Sequence, residues 1–211
     1  MCLLLRAWRA GPVPEEIGAD QLRRTLKRLS HEIIEQIGDP GSLALVGIRT
    51  RGVTLAERLA RIIEELARVR PPVGALDVTL YRDDLDREGG ARRRLRKTDI
   101  SFSCEGKDIV LVDDVLFTGR TVRAALAALV NFGRPGRVLL AVAVDRGGRE
   151  LPVRADFVGR NMEVLPDEEV QVLFEESDGL DAIVVQDSPD FAKRHIRKDI
   201  DEHPAAPEDS P

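Results

Sequence analysis

In the run Ile109-Val110-Leu111-Val112-Asp113-Asp114-Val115-Leu116-Phe117-Thr118-Gly119-Arg120-Thr121, a buried strand, two adjacent carboxylates and an anion-ready loop follow one another within thirteen residues. Ile109 to Val112 is short, apolar and mostly β-branched, the pattern of a parallel strand covered on both faces. Asp113 and Asp114 are expected at its exit, facing the crevice where sheets of this class bind ligands. As acceptor-only groups they suit the vicinal hydroxyls of a ribose. Thr118, Gly119, Arg120 and Thr121 then lead into an expected helix over residues 122–130. They offer hydroxyls, a close backbone approach and the unpaired N–H groups of a helix start, which suit a phosphate. The plainer alternative is an ordinary strand-turn-helix with a solvated Asp-Asp pair.

Outward from this run, helical and strand periods alternate without an internal repeat. Residues 21–37 place Leu22, Leu26, Leu29, Ile33, Ile34 and Ile37 on one stripe, ended by Gly38-Asp39-Pro40-Gly41. Residues 43–48 read as a buried strand, 53–67 as a second helix stopped by Pro71-Pro72, and 76–81 as the next strand. Further strands are expected at 138–144, 170–174 and 182–185, with a turn at Asp145-Arg146-Gly147-Gly148. Repeated strand-helix-strand units predict an α/β fold, an open, mostly parallel sheet flanked by helices. Residues 82–98 are polar throughout, contain Gly89-Gly90 and Arg92-Arg93-Arg94, and are long for a structureless connection; they read as a flexible lid loop. The organisation expected is an N-terminal extension (1–20), one domain (21–187) and a polar, disordered tail (188–211).

Composition sets limits on function. With 211 residues, 43% hydrophobic and 33% charged, the chain can bury one sizeable core. Cys2 and Cys104 are too few and too separated for a disulfide framework or a CxxC metal site, which points to a reducing compartment. No run approaches a membrane span, and a cytoplasmic location without membrane partners is expected. The net charge of −5 is concentrated in the acidic C-terminal segment while arginines cluster elsewhere, so it does not argue against nucleic acid. His31 and Glu32 lack the second histidine of a zinc-protease helix, and Gly106-Lys107-Asp108 lacks the rest of a nucleotide-hydrolase loop. No protein-held metal is implied.

Other loops can be read as anion sites. Arg49-Thr50-Arg51-Gly52 lies between a strand exit and a helix start, and is otherwise a basic turn. Tyr81-Arg82-Asp83-Asp84 is either a surface salt-bridge cluster or a clamp beside the lid. On the first helix Arg24, Lys27, Arg28 and His31 fall opposite the leucine stripe, and Arg149, Arg154 and Arg160 form a second basic series. By pattern alone both are solvated charged faces.

The 109–121 run resembles the phosphoribosyl diphosphate (PRPP) signature of type I phosphoribosyltransferases without a gap. Leu45-Val46-Gly47-Ile48-Arg49-Thr50-Arg51-Gly52, Asp77-Val78-Thr79-Leu80-Tyr81-Arg82-Asp83-Asp84-Leu85 and Val144-Asp145-Arg146-Gly147-Gly148-Arg149-Glu150-Leu151-Pro152-Val153-Arg154-Ala155-Asp156 sharpen the likeness. Together they are similar to the PyrR family of bifunctional pyrimidine operon regulators with uracil phosphoribosyltransferase activity. The likeness spans about residues 24–185. It implies a type I phosphoribosyltransferase fold and transfer of phosphoribosyl from PRPP to uracil, giving UMP and diphosphate. It also implies binding of pyrimidine-operon leader RNA in response to UMP or UTP, and assembly as a homodimer or higher oligomer.

By residue, it implies Asp113 and Asp114 at the ribose, with Val112, Val115, Leu116, Phe117 and the loop Thr118, Gly119, Arg120 and Thr121 around the sugar phosphate. Thr50, Arg51 and Arg82 would take the diphosphate, and Mg²⁺ would be held mainly through PRPP. Asp145, Arg146 and Gly147 would border the uracil, and the two basic series would meet RNA. The chain departs from the family's common residues at Gly148, where a histidine is frequent, at Gln36, where a basic residue is frequent nearby, and at Lys27, where threonine is common. A purely metabolic transferase and a non-catalytic RNA regulator that keeps the pocket as a nucleotide sensor are the alternatives.

Overall fold

The computed structural model describes residues 17–81, 97–165 and 167–187. The strands β2 (Leu43–Ile48), β3 (Val73–Leu76), β4 (Asp108–Leu116), β5 (Arg137–Asp145) and β6 (Phe157–Asn161) form a wholly parallel sheet in the order β3-β2-β4-β5-β6. The alternation of the pleat explains why these strands read as unbroken apolar runs: both faces are covered. Leu45, Val110, Val112, Ala141 and Ala143 enter one core layer with the helices α1 (Ala19–Ile37) and α2 (Arg51–Ala67). Ala44, Val46, Ile109, Leu111, Leu140 and Val142 enter the other with α3 (Arg120–Leu129).

Chain order fixes where a ligand can sit. From β2 the chain crosses outward to β3, returns past β2 to β4, and then proceeds the other way to β5 and β6. The reversal opens a crevice at the C-terminal ends of β2 and β4. A second, antiparallel sheet in the order β1-β8-β7, formed by β1 (Ile17–Gly18), β7 (Glu168–Leu173) and β8 (Ala182–Asp187), packs on the α1 and α2 side through Val170, Val172 and Ile183. A single helical turn, α4 (Glu175–Asp178), joins β7 to β8.

Several boundaries differ from expectation. The strand expected at 76–81 lies earlier, at Val73–Leu76. Asp77 ends it by accepting the N–H and hydroxyl of Thr79 (2.9 and 2.6 Å), and residues 79–81 form a 3₁₀ turn despite their β-prone side chains. Two strands were not legible: β1, two residues long, and β6, an edge strand interrupted by Gly159. Residues 17–20, expected in an extension, belong to the fold, with Ile17 buried and paired to Ile183. The expected lid up to residue 96, with Arg82, the extension up to residue 16 and the tail lie outside the described residues, whereas Thr98, also expected in the lid, accepts the N–H of Asp77 through its hydroxyl (3.1 Å).

Candidate active site

The two carboxylates sit inside β4 rather than past its end. On its β2 side the ladder stops at Val112, whereas on its β5 side it continues to Leu116. Asp113 and Asp114 therefore emerge where β4 no longer pairs with β2, on the wall of the crevice. Asp113 is 7% exposed and its Oδ1 accepts the N–H of Asp114 (3.1 Å); Asp114 is half-buried. Among the described residues no cluster of three or more His, Cys, Asp or Glu side chains could enclose a metal ion. An adjacent pair of carboxylates does suit Mg²⁺ carried mostly by substrate oxygens, which keeps its other positions for phosphate and water.

The facing wall is the loop between β2 and α2, with Thr50 as the residue before the helix. It lies against β4 backbone to backbone: a β-carbon on Gly52 would stand 2.4 Å from the carbonyl oxygen of Val112. Arg51 donates through Nη2 to Asp178 in α4 (2.9 Å), and its buried Nε has no protein partner. The hydrogen bond from Arg51 to Asp178 raises the pKa of Arg51, burial opposes that, and the charges of Asp178, Asp114 and Glu169 add to it. Thr50, Arg51 and Asp114 are thus gathered at one crevice.

After Leu116 the chain turns through the loop that precedes α3. Gly119 adopts φ +90, a conformation other residues rarely take, and provides no side chain to cap the helix. Three successive carbonyls of this loop are held from one side: Arg149 Nη1 donates to Leu116 O (3.3 Å) and Phe117 O (2.6 Å), and the N–H groups of Glu150 and Leu151 donate to Thr118 O (3.0 and 3.1 Å). In trans peptides C=O and N–H point in opposite directions, so the N–H groups of Phe117, Thr118 and Gly119 face away from the 149–151 segment. Such a row of N–H groups running into a helix start is a nest for an anion. Arg120 is paired with Glu150 at 2.7 Å.

At the end of β5, Asp145 accepts the N–H of Gly147 (2.9 Å) and pairs with Arg149, so its carboxylate organises its own turn. The guanidinium of Arg146 lies 4.2 Å over the Phe117 ring, its Nε buried without a partner and its pKa lowered chiefly by burial. The expected base-site residues thereby meet the PRPP-signature loop, although Asp145 is turned inward. The basic series divides. Arg24, Lys27 and His31 lie on α1, and α1 packs on β6, the strand that carries Arg160; Arg154 is exposed just before it. Arg28 is committed to Glu32 and to the carbonyls of Val158 and Gly159. Arg149, expected in the same basic series, has its guanidinium nitrogens engaged by Val153 O, by Asp145 and by the carbonyls of Leu116, Phe117 and Gly147 at the loop before α3.

Sequence reading missed the partners from the second sheet. Asp178 holds Arg51, and Arg58 on α2 binds Glu176 and Asp181 while lying 4.9 Å over the Phe174 ring. These partners lie far apart in the chain, and no local pattern announces them.

The phosphoribosyl transferase domain family matches residues 15–175. A bifunctional protein PyrR from Chloroflexus aurantiacus is 56% identical over 169 residues, covering 80% of this chain and 92% of the relative. The chain belongs to the PyrR family. Another relative with the same name, from Thermus aquaticus, is also 56% identical over 169 residues, covering 80% of this chain and 93% of its own length. Among solved structures, a hypoxanthine phosphoribosyltransferase from Trypanosoma cruzi superposes with a TM-score of 0.63 at 22% identity, covering 85% of this chain and 98% of its own. A hypoxanthine-guanine phosphoribosyltransferase from Bacillus anthracis gives 0.61 at 18%, covering 81% and 96%. At those identities the structures establish the fold: this PyrR-family chain has the type I phosphoribosyltransferase architecture. No helix among the described residues is long and apolar enough to cross a membrane.

Proposed function

We propose that the protein transfers phosphoribosyl from PRPP to uracil, giving UMP and diphosphate, and that it binds pyrimidine-operon leader RNA in response to uridine nucleotides, acting by attenuation or translational repression. The observation that carries the enzymatic half is the junction of Asp113 and Asp114 with the 50–52 loop at the β2/β4 crevice, the anion nest lying directly downstream. Formation of the bond from ribose C1 to uracil N1, with the N1 proton released to water or to the departing diphosphate, and cleavage of the bond from C1 to diphosphate build positive charge on the sugar and negative charge on the leaving group. The protein's task is to position the reactants and stabilise separated charges. Asp113 and Asp114 hold the ribose hydroxyls and favour the cationic sugar. Thr118 to Thr121 and the N–H nest hold the 5-phosphate; Thr50 and Arg51, together with Arg82, hold the diphosphate. The orphaned Nε of Arg51 supports that role, since a bound anion would satisfy it. When bound, Mg²⁺ supplies charge neutralisation on the diphosphate and ribose oxygens.

Uracil would meet the backbone around residues 145–147, beside the stacked Arg146 and Phe117. RNA would meet Arg24, Lys27, His31, Arg154 and Arg160, with Arg28 and Arg149 reached only if their internal bonds open. That loss of two basic groups favours the purely metabolic transferase as the second reading. Assembly into a homodimer or higher oligomer is supported by the exposed apolar side chains Leu80, Leu126 and Val130 around the junction of the 79–81 turn with α3. The test is a uracil-plus-PRPP assay of the pure protein beside filter binding to its own leader RNA, with and without UMP. UMP formation with UMP-stimulated RNA binding supports the proposal, RNA binding indifferent to UMP leaves the metabolic reading, and absence of UMP formation overturns the enzymatic half.

A further inference from the structure

Arg149 is engaged more fully than any role on an RNA face requires. Besides Leu116 O and Phe117 O, its Nη1 donates to Gly147 O (3.0 Å), its Nε donates to Val153 O (3.1 Å), and Nη2 pairs with Asp145. The acceptors come from the end of β4, the end of β5 and the segment leading to β6. A planar guanidinium offers five N–H groups in a fixed fork, and here Nη1 shares its two among three carbonyls, Leu116 O at 3.3 Å being the longest of the three. Two of these acceptors, the carbonyls of Leu116 and Phe117, belong to the peptides whose N–H groups form the anion nest, so the fork sets the tilt of those peptides. Glu150 and Leu151, next along the chain, hold the third carbonyl, and the Val153 side chain stands 3.3 Å from where a β-carbon on Gly119 would be.

We propose that Arg149 is a positioning residue for the phosphate subsite: it does not touch the phosphate but clamps the outer carbonyls of residues 116 and 117 so that the N–H groups of Phe117, Thr118 and Gly119 stay aimed at the 5-phosphate of the ribose. This deepens the proposed function and rests on that reading of the site. It predicts that Arg149 distinguishes a phosphorylated ligand from the same ligand without phosphate, which a residue that merely holds the fold would not do.

The experiment compares UMP with uridine. In calorimetric titrations of the wild-type protein, Arg149→Gln and Arg149→Lys, affinity for UMP should fall about tenfold or more in Arg149→Gln, as for loss of hydrogen bonds from a charged donor, while affinity for uridine, which meets Arg149 only through the 145–147 turn, falls by much less. Arg149→Lys keeps the charge but loses the fork, and should fall nearly as far. In the transferase assay KM for PRPP should rise more than kcat falls. A UMP-to-uridine affinity ratio equal to that of the wild type in both variants, or full UMP affinity in Arg149→Lys, overturns the proposal. A measurement on the unaltered protein guards against variants that do not fold: amide hydrogen exchange at residues 117–119 should slow on UMP binding, and unchanged exchange there at saturating UMP also overturns it. A wild type that binds neither UMP nor PRPP would instead sink the underlying reading of the site, so the two failures are distinct.

Discussion

Gly52→Ala tests whether the crevice depends on close packing between the two loops. Gly52 lies in the first turn of α2, at an ordinary helical position, so alanine would by propensity alone stabilise that turn by about 1 kcal/mol. Its β-carbon, however, would stand 2.4 Å from Val112 O and 3.2 Å from the Asp113 α-carbon. Carbon and carbonyl oxygen ordinarily approach to about 3.3 Å, so something must shift by roughly 1 Å. Strand β4 cannot readily move, because Val112 is paired to both β2 and β5. The start of α2, with Thr50 and Arg51, therefore moves away from Asp113 and Asp114. Overpacking of this kind costs about 1 to 3 kcal/mol, which matches or exceeds the propensity gain yet leaves most of a typical stability of about 5 to 15 kcal/mol. A displacement of about 1 Å between groups that hold the two ends of a reacting molecule lowers the rate on the order of a hundredfold. We expect kcat/KM for PRPP to drop by that amount while the melting temperature falls by only a few degrees. Gly18→Ala, at a position with nothing within 4 Å, is the control: as the N-cap of α1 it should lower the melting temperature slightly but leave kcat/KM at the wild-type value. An unimpaired kcat/KM in Gly52→Ala would refute the idea that the packing of this loop on β4 sets the distance between diphosphate and ribose sites.

Asp114→Asn should reduce kcat on the order of a hundredfold with an unchanged melting curve, the size seen when one group that stabilises transition-state charge is removed; wild-type turnover would remove its assigned role. The carboxyl of Asp178 is held at about 2, against an ordinary 3.8, first by the hydrogen bond from Arg51 and then by that from the Phe174 N–H. A depressed carboxyl stabilises the fold fully above its unfolded value and loses that contribution as pH falls through the folded one, so about 1 to 2 kcal/mol should vanish between roughly pH 4 and pH 2. Urea titrations across that range should show the loss in the wild type and a flatter profile in Asp178→Asn; identical profiles would contradict it. Arg24→Gln and Arg154→Gln should each weaken RNA binding and reduce the log-log salt slope by about 0.7 for each phosphate no longer neutralised, with uracil transfer unaffected. Slopes equal to wild type in filter binding would take both residues off the RNA face.

How much of this was legible depended on whether the cause was local. The strands β2, β4 and β5 carry apolar runs that must be buried on both faces, and the leucine stripe of α1 can bury only one, so the parallel sheet and its helices could be read directly from spacing. The strand expected at 76–81 failed because Val78, Thr79 and Tyr81 favour β structure only until Asp77 offers its carboxylate to Thr79. Edge strand β6 escaped notice because Gly159 is there for clearance: a β-carbon would stand 2.4 Å from Ala143 O and 2.9 Å from Thr25 of α1, a requirement visible only once both neighbours are in place. The site divides in the same way. Asp113, Asp114 and the 118–121 loop were legible because one strand, one turn and one helix start create their geometry.

Charged residues were the least legible, since an arginine looks the same in a string whether it faces solvent or a ring of acceptors. Arg154 is exposed as a simple tally of basic residues would suggest, whereas Arg149 turns inward because the ends of β4 and β5 present carbonyls and the Asp145 carboxylate on one side. Arg51 and Arg58 depend likewise on Asp178, Glu176 and Asp181, carboxylates brought from the far end of the chain by the second sheet. These three carboxylates tie that sheet to the helix whose first residues are proposed to hold the diphosphate. The salt bridges between α2 and the α4 region therefore do more than hold two layers together, for any ligand that draws Arg51 away from Asp178 must also loosen one attachment of the second sheet. Beside the modest stability they add, half-buried pairs of this kind select one arrangement of the two elements against its neighbours, which is what a crevice built from two separately covered faces of one sheet requires.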